Sequence, residues 1–197
     1  IAGPCSAESE NQMMQTALGL KKINSIDIFR AGIWKPRSKP GGFEGAGKIG
    51  LKWLQKVKKT TSLLTAVEVA NPDHVEMALE HDVDVLWIGA RTTVNPFTVQ
   101  EISEALRGTS TEVLIKNPIN ADINLWIGAL ERIKNANVNN IGLVHRGFTS
   151  FGNDEYRNAP FWQIPIEMKR LFPNTTMICD PSHIGGKRYR LQNIIQK

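Results

Sequence analysis

The chain has 197 residues, 41% of them apolar and 22% charged, with 24 basic against 19 acidic side chains and a net charge of +5. That composition excludes a disordered tail, and two cysteines are too few for a disulfide framework, so either thiol is expected to be buried or metal-bound rather than paired. No apolar run approaches the roughly 20 residues that cross a bilayer. The start Ile1-Ala2-Gly3-Pro4-Cys5 has neither an initiator Met nor a basic leader region, so a soluble, reducing, cytoplasmic setting is expected.

Short β-rich runs at residues 1–3, 26–30, 63–69, 83–88, 112–116, 141–145 and 176–179 alternate with helix-like stretches at 10–22, 49–59, 72–81, 96–107, 123–135 and 160–171. In 72–81, Val75, Ala78 and Leu79 recur at i, i+3 and i+4 with Asp73 in the first turn, the pattern of an amphipathic helix. Strands separated by helices at this spacing predict a parallel sheet, because parallel neighbours need crossover connections. With no composition break or low-complexity linker, residues 1–197 read as a single domain.

Two architectures accept such alternation. An open doubly wound sheet usually carries G-x-G-x-x-G or G-x-x-x-x-G-K-[ST] after its first strand, and Gly3-Pro4-Cys5-Ser6 fits neither. The fold expected is therefore an α/β (β/α)8 TIM barrel. Such barrels take eight strands and about 250 residues. Seven candidate strands are found, and the chain stops at Ile195-Gln196-Lys197 inside the helix after the seventh, so the eighth β/α unit is expected to be lacking.

In a parallel barrel the C-terminal ends of the strands face one mouth, which carries the active site. The candidate strand ends here are cationic: Arg30 leading into Lys35-Pro36-Arg37-Ser38, then Arg91 in Gly89-Ala90-Arg91, Lys116, and His145-Arg146. One terminal cation could snorkel to solvent, but repetition on four strands weakens that reading. Arg grips carboxylate and phosphate with a bidentate fork and Lys acts as a point charge, so the pattern suits small substrates with several negative charges. Nucleic acid would instead want an exposed basic stripe with aromatics. The exposed group Lys52, Lys56, Lys58 and Lys59 reads better as a solvated helix face.

Cys5 follows the first candidate strand and His183 the last, in Asp180-Pro181-Ser182-His183. A thiolate and an imidazole at one mouth could hold Mn, Fe, Co or Zn, although at least two further ligands are needed. Cys179 reads as an inert small hydrophobe. Glu68 is a carboxylate in an otherwise apolar strand, there either to balance the cations or to orient a water. The glycines of Gly41-Gly42-Phe43-Glu44-Gly45-Ala46-Gly47 read as a flap or a close approach to a ligand.

Gly3-Pro4-Cys5-Ser6-Ala7-Glu8-Ser9, Arg30-Ala31-Gly32 with Lys35-Pro36-Arg37-Ser38, Ile88-Gly89-Ala90-Arg91, Ile115-Lys116-Asn117-Pro118, His145-Arg146-Gly147-Phe148 and Asp180-Pro181-Ser182-His183-Ile184-Gly185-Gly186 together resemble type I 3-deoxy-D-arabino-heptulosonate-7-phosphate (DAHP) synthase. The resemblance runs in order over essentially the whole chain. The sister 3-deoxy-manno-octulosonate-8-phosphate synthases typically read Lys-Ala-Asn-Arg-Ser where this chain reads Lys35-Pro36-Arg37-Ser38, which favours the four-carbon sugar.

The resemblance implies condensation of phosphoenolpyruvate with erythrose 4-phosphate, the entry to the shikimate pathway and aromatic amino acids. It implies that Arg30 and Lys35 hold the phosphoenolpyruvate carboxylate, that Arg91, Lys116 and Arg146 hold its phosphate, that Arg37 and Ser38 hold the sugar phosphate, and that Ala90 is substrate-binding. Lys35, Glu68, Lys116 and His183 are the catalytic candidates, with Glu68 on the water. Cys5 and His183 match two of four ligands to a divalent ion, the other two coming from the eighth strand and its loop. A homo-oligomer is implied, and some members are fused to chorismate mutase or a regulatory domain. The alternatives are the octulosonate or sialic-acid-type synthases, and a non-catalytic sugar-phosphate-binding barrel.

Overall fold

The computed structural model describes residues 1–35, 41–152 and 155–196. The chain divides into two compact units, Ile1–Trp87 and Ile88–Lys197. In the first unit the order is α1 (Glu10–Lys21), β1 (Ile28–Ala31), α2 (Lys48–Thr61), β2 (Leu64–Val69), α3 (Pro72–Glu80) and β3 (Val85–Ile88). Its strands lie in chain order, with β1 parallel to β2 in the register Ile28↔Leu64 to Ala31↔Val67. Phe29, Leu51, Leu54, Val57, Val67 and Leu86 form a water-free core between the sheet and its helices.

The second unit runs α4 (Ala90–Thr93), α5 (Pro96–Ala105), β4 (Glu112–Lys116), α6 (Ile123–Asn135), β5 (Ile141–His145), α7 (Gln163–Leu171) and β6 (Thr176–Cys179). It ends with α8 (Pro181–Gly185), a 3-10 turn (Arg188–Arg190) and α9 (Leu191–Ile195). β4, β5 and β6 are parallel neighbours in chain order, with Lys116 opposite Val144 and His145 opposite Cys179. Gly142 is small for a packing reason: a Cβ there would come within 2.7 Å of Leu114 Cδ2.

Helix starts follow local chemistry. Ser9, Asn71, Asn95, Asp122 and Asp180 each accept a backbone N–H from the first turn of the helix they precede, and Pro72, Pro96 and Pro181 supply a fixed φ at its start. Those caps give α3, α5 and α6 their expected beginnings.

Six strands form among the described residues rather than seven. The expected strand at 1–3 is reduced to one bridge, Ala2 to Phe29, because it is tied to β1 only through Ala2 N–H to the Ile28 carbonyl and Arg30 N–H to the Ala2 carbonyl. The strand expected from residue 26 starts at Ile28, since Ile26 N–H is used in a turn to the Ile23 carbonyl. The helix expected from Pro160 starts at Gln163, after Phe161 takes a left-handed φ of 35°.

The closed ends of the strands in the first unit are tied by charge. Asp84, before β3, accepts from Lys58 Nζ at 2.6 Å, Thr65 N–H at 2.8 Å and Thr65 Oγ1 at 3.0 Å. Burial alone would raise the Asp84 pKa, but these donors outweigh it and hold it below the ordinary value. Lys56 likewise pairs with Glu10. Lys56 and Lys58 of α2 thus brace neighbouring segments.

Ile115 is fully buried in β4, whereas Phe97 is 83% exposed on α5. Ile115→Ala is expected to cost about 2–5 kcal/mol in urea unfolding and Phe97→Ala less than about 0.5 kcal/mol.

Candidate active site

In the first unit, the candidate residues meet at the C-terminal ends of β1 to β3. Gly32 follows β1 without a side chain because a Cβ would lie 2.1 Å from the Cys5 carbonyl oxygen. That close approach seats the Pro4-Cys5 turn on the strand end, with Gly32 N–H donating to the Pro4 carbonyl and Ala7 N–H to the Gly32 carbonyl. Lys35 Nζ donates to the Cys5 carbonyl at 2.6 Å and lies 3.4 Å from Cys5 Sγ, and Arg30 Nη1 donates to the Pro4 carbonyl at 3.0 Å. Burial alone would raise the Cys5 thiol pKa, but the charges of Lys35 and Arg30 outweigh it and lower it.

Glu68, near the end of β2, accepts from Trp87 Nε1–H at 3.0 Å. The Arg30 guanidinium lies 5.0 Å from the Trp87 ring centroid. Trp34, next to Lys35, stacks on His74 with ring centroids 3.9 Å apart. The glycine-rich loop returns to this segment: Lys35 N–H donates to the Glu44 carbonyl and Gly47 N–H to the Ile33 carbonyl, so the loop acts as a brace.

In the second unit, Asp180 is the hub. Its Oδ2 accepts from Lys116 Nζ at 3.2 Å and from His183 Nδ1 at 2.7 Å, while Oδ1 accepts His183 N–H. Burial would raise the Asp180 pKa, but these donors hold it well below the carboxylate range. An ionised Asp180 fixes the proton of His183 on Nδ1 and so leaves the lone pair on Nε2. The Asp180 hydrogen bond raises the His183 pKa, yet burial and the Lys116 and Arg146 charges outweigh it, leaving the ring neutral near pH 7.

Arg146 is 9% exposed and Lys116 8%. Burial lowers the Arg146 pKa to about 10, with Asp180 opposing and Arg157 and Arg91 adding to the fall, so these guanidinium groups share one field. At that value Arg146 is still charged at neutral pH. Asn117, fully buried, binds the loop after β5 from both sides: its Oδ1 accepts Arg146 N–H at 2.7 Å and its Nδ2 donates to the Gly147 carbonyl at 2.9 Å. Asn158 Nδ2 donates to the His183 carbonyl at 2.6 Å. Thr93, on the short helix that carries Ala90 and Arg91, donates through Oγ1 to the Lys116 carbonyl at 3.0 Å.

Cys5, Arg30, Lys35 and Glu68 therefore belong to one cluster, and Arg91, Lys116, Arg146 and His183 to another. Arg37 and Ser38 lie outside the described residues. Sequence reasoning missed Trp87, Arg157, Asn158 and the roles of Asn117 and Asp180; of these, Asn117 and Asp180 stood in quoted motifs, Ile115-Lys116-Asn117-Pro118 and Asp180-Pro181-Ser182-His183. Cys179, expected to be inert and buried, is exposed at the end of β6. For a divalent ion, the donor chemistry fits: a thiol with a lowered pKa and a neutral histidine oriented by a carboxylate. Among the described residues no group of three or more His, Cys, Asp or Glu side chains assembles that could hold one.

The sequence pattern of the DAHP synthetase I family matches residues 1–197. A phospho-2-dehydro-3-deoxyheptonate aldolase of Thermotoga maritima is 30% identical over 188 residues, covering 95% of this chain and 53% of that protein. A 2-dehydro-3-deoxyphosphooctonate aldolase of Variovorax paradoxus is 40% identical over 92 residues, covering 44% of this chain and 32% of its own length. The crystal structure of a DAHP synthase from Thermotoga maritima superposes with a TM-score of 0.84 at 28% identity, over 98% of this chain and 54% of that one. The chain thus spans about half the length of the Thermotoga protein, and its α/β fold is of the expected class.

Two consequences of the geometry are measurable. Burial and Asp180 raise the Cys179 pKa while Cys5 is lowered. Iodoacetamide at pH 7, followed by mass spectrometry, should modify Cys5 first, and Lys35→Met should slow that reaction. His145 is 2% exposed among Phe148 and Trp162, and its ring nitrogens have no hydrogen bond of good geometry. Burial and Arg146 lower its pKa to about 4, the Pro160 carbonyl offsetting only part of this. Between about pH 6.5 and 4 the unfolded chain takes up a proton that the folded chain does not, so stability falls with pH across that window. The loss reaches on the order of 3 kcal/mol from this group. Urea unfolding between pH 7 and 4.5 should show a weaker pH dependence for His145→Phe.

Proposed function

Since the chain belongs to the DAHP synthetase I family, we propose that the protein condenses phosphoenolpyruvate with erythrose 4-phosphate to give DAHP and phosphate. The observation that carries this reading is the second-unit cluster, where buried Lys116 and Arg146 share a field with Arg91 and Arg157 around the Asp180 carboxylate. Two buried cations with two further guanidinium groups in the same field favour a polyanion, and the three guanidinium forks suit a phosphate.

In this reading Arg91, Lys116 and Arg146 hold the phosphate of phosphoenolpyruvate, with Ala90 beside them at the start of α4. Arg30 and Lys35 hold its carboxylate, and Arg37 and Ser38 the sugar phosphate. C3 of phosphoenolpyruvate attacks the aldehyde carbon of the sugar and forms the new C–C bond. Water, oriented by Glu68, adds at C2, and phosphate leaves by C–O cleavage. The cations offset the charge brought together and align the reacting carbons. Cys5 and His183 would hold a divalent ion, which supplies Lewis-acid polarisation of the aldehyde oxygen when bound. The same reading carries a homo-oligomer in the cytoplasm. Among the described residues no helix is long and apolar enough to cross a membrane.

Phosphoenolpyruvate consumption by the intact gene product, with Mn2+ and with chelator, tests the reading, with erythrose 4-phosphate and arabinose 5-phosphate offered in parallel. Metal-dependent turnover with the four-carbon sugar is expected. Turnover with arabinose 5-phosphate alone would move the protein to octulosonate synthesis. Lys116→Met should lower kcat/KM for phosphoenolpyruvate by at least about 100-fold, because it removes a charge from the phosphate and leaves Asp180 with one fewer partner.

A further inference from the structure

Trp87 is not one of the titratable or ligand-type residues that drew notice in the sequence, yet it touches two of them. It is 4% exposed, and its Nε1–H donates to Glu68 Oε2 at 3.0 Å. The face of its ring carries the Arg30 guanidinium 5.0 Å from the centroid. Arg30 lies opposite Ala66 in the β1–β2 register, so Glu68 sits two residues further along the neighbouring strand, on the same face.

The indole is suited to hold both groups without consuming either. A cation against a ring face is attracted by the quadrupole and keeps its N–H donors. Of the Arg30 donors, Nη1 is engaged by the Pro4 carbonyl, and stacking orients the planar fork without occupying the others. The indole N–H is a donor only, so it fixes the rotamer of Glu68 through Oε2 and leaves Oε1 able to accept from water. A direct ion pair between Arg30 and Glu68 would tie up both charges, whereas the indole links them and leaves each its reactive edge.

We propose that Trp87 is a positioning residue for the condensation: its ring face sets Arg30 for the substrate carboxylate, and its N–H sets Glu68 for the attacking water. The proposal rests on the function given above. It separates into two halves that substitution can part, because phenylalanine keeps a ring face and loses the donor, while leucine loses both.

The experiment uses the intact gene product as wild type, W87F, W87L, E68Q and W87F/E68Q, with folding checked by circular dichroism. Steady-state rates with phosphoenolpyruvate and erythrose 4-phosphate are set beside the dissociation constant of phosphoenolpyruvate from calorimetry. W87F is expected to lose about tenfold in kcat, the scale of one hydrogen bond, with phosphoenolpyruvate affinity within about twofold. W87L is expected to lose about tenfold in affinity as well. In the E68Q background W87F should cost no further kcat, since the group it acts through is already disabled. Unchanged kcat in W87F, wild-type affinity in W87L, or losses that multiply in W87F/E68Q would each overturn the proposal, the last marking Trp87 as merely structural. If leucine costs the fold, W87F and W87F/E68Q decide, because phenylalanine refills most of the buried volume. A wild-type protein that binds phosphoenolpyruvate but turns over neither sugar would overturn the function itself, and the role of Trp87 in it falls for that separate reason.

Discussion

One oxygen of the Asp180 carboxylate takes both the Lys116 ammonium and the His183 ring N–H, and much of the second unit is arranged around that sharing. Buried ammonium and guanidinium groups are costly to desolvate, and a carboxylate beside them lowers the cost only where geometry is good. Asp180 meets that condition at the start of α8, where its other oxygen also caps the helix through His183 N–H. A single residue thereby sets the tautomer of His183, anchors Lys116 and begins a helix. Arg146 lies in the same field, together with Arg91 and Arg157.

Uncharged groups do the positioning that charged ones cannot. Asn117 is saturated by backbone: it accepts from Arg146 N–H and donates to the Gly147 and Pro118 carbonyls. Gly147 at φ 78° packs so closely on Asn158 that a Cβ would come within 2.6 Å of the Asn158 carbonyl oxygen. Asn158 in turn donates to the His183 carbonyl. The loop after β5 is therefore clamped between the end of β4 and the start of α8, and rigid loops keep the desolvated cations at fixed separations. In the first unit Trp87 and the Gly32–Cys5 contact serve the same purpose.

The two thiols show how position on a strand end changes the chemistry of one residue type. Cys5 sits in the field of Lys35 and Arg30 and is drawn toward thiolate, whereas Cys179 sits beside the Asp180 carboxylate and is held as thiol. The same sulfur is thus favoured as a ligand at one strand end and disfavoured at the other.

Fold class and most strands and helices were legible because their signals are local: alternation of β-branched runs with amphipathic stretches, and caps such as Asn71, Asn95 and Asp122 ahead of helices. The cations were legible too, since Arg30, Arg91, Lys116 and Arg146 each stand at or just past the end of a strand that its own residues define. The first strand failed because pairing is not a local property: residues 1–3 have the composition of a strand, but only Ala2 finds a partner. Partnership at the site was equally invisible. Lys116 and Asp180 are 64 residues apart and Trp87 and Glu68 19, so no spacing rule joins them. What the sequence determined by itself is which residue types occur at which strand ends. Only the tertiary structure decided that Glu68 would answer to an indole and Lys116 to an aspartate, because a side chain's partner depends on which faces the folded backbone brings within hydrogen-bonding distance.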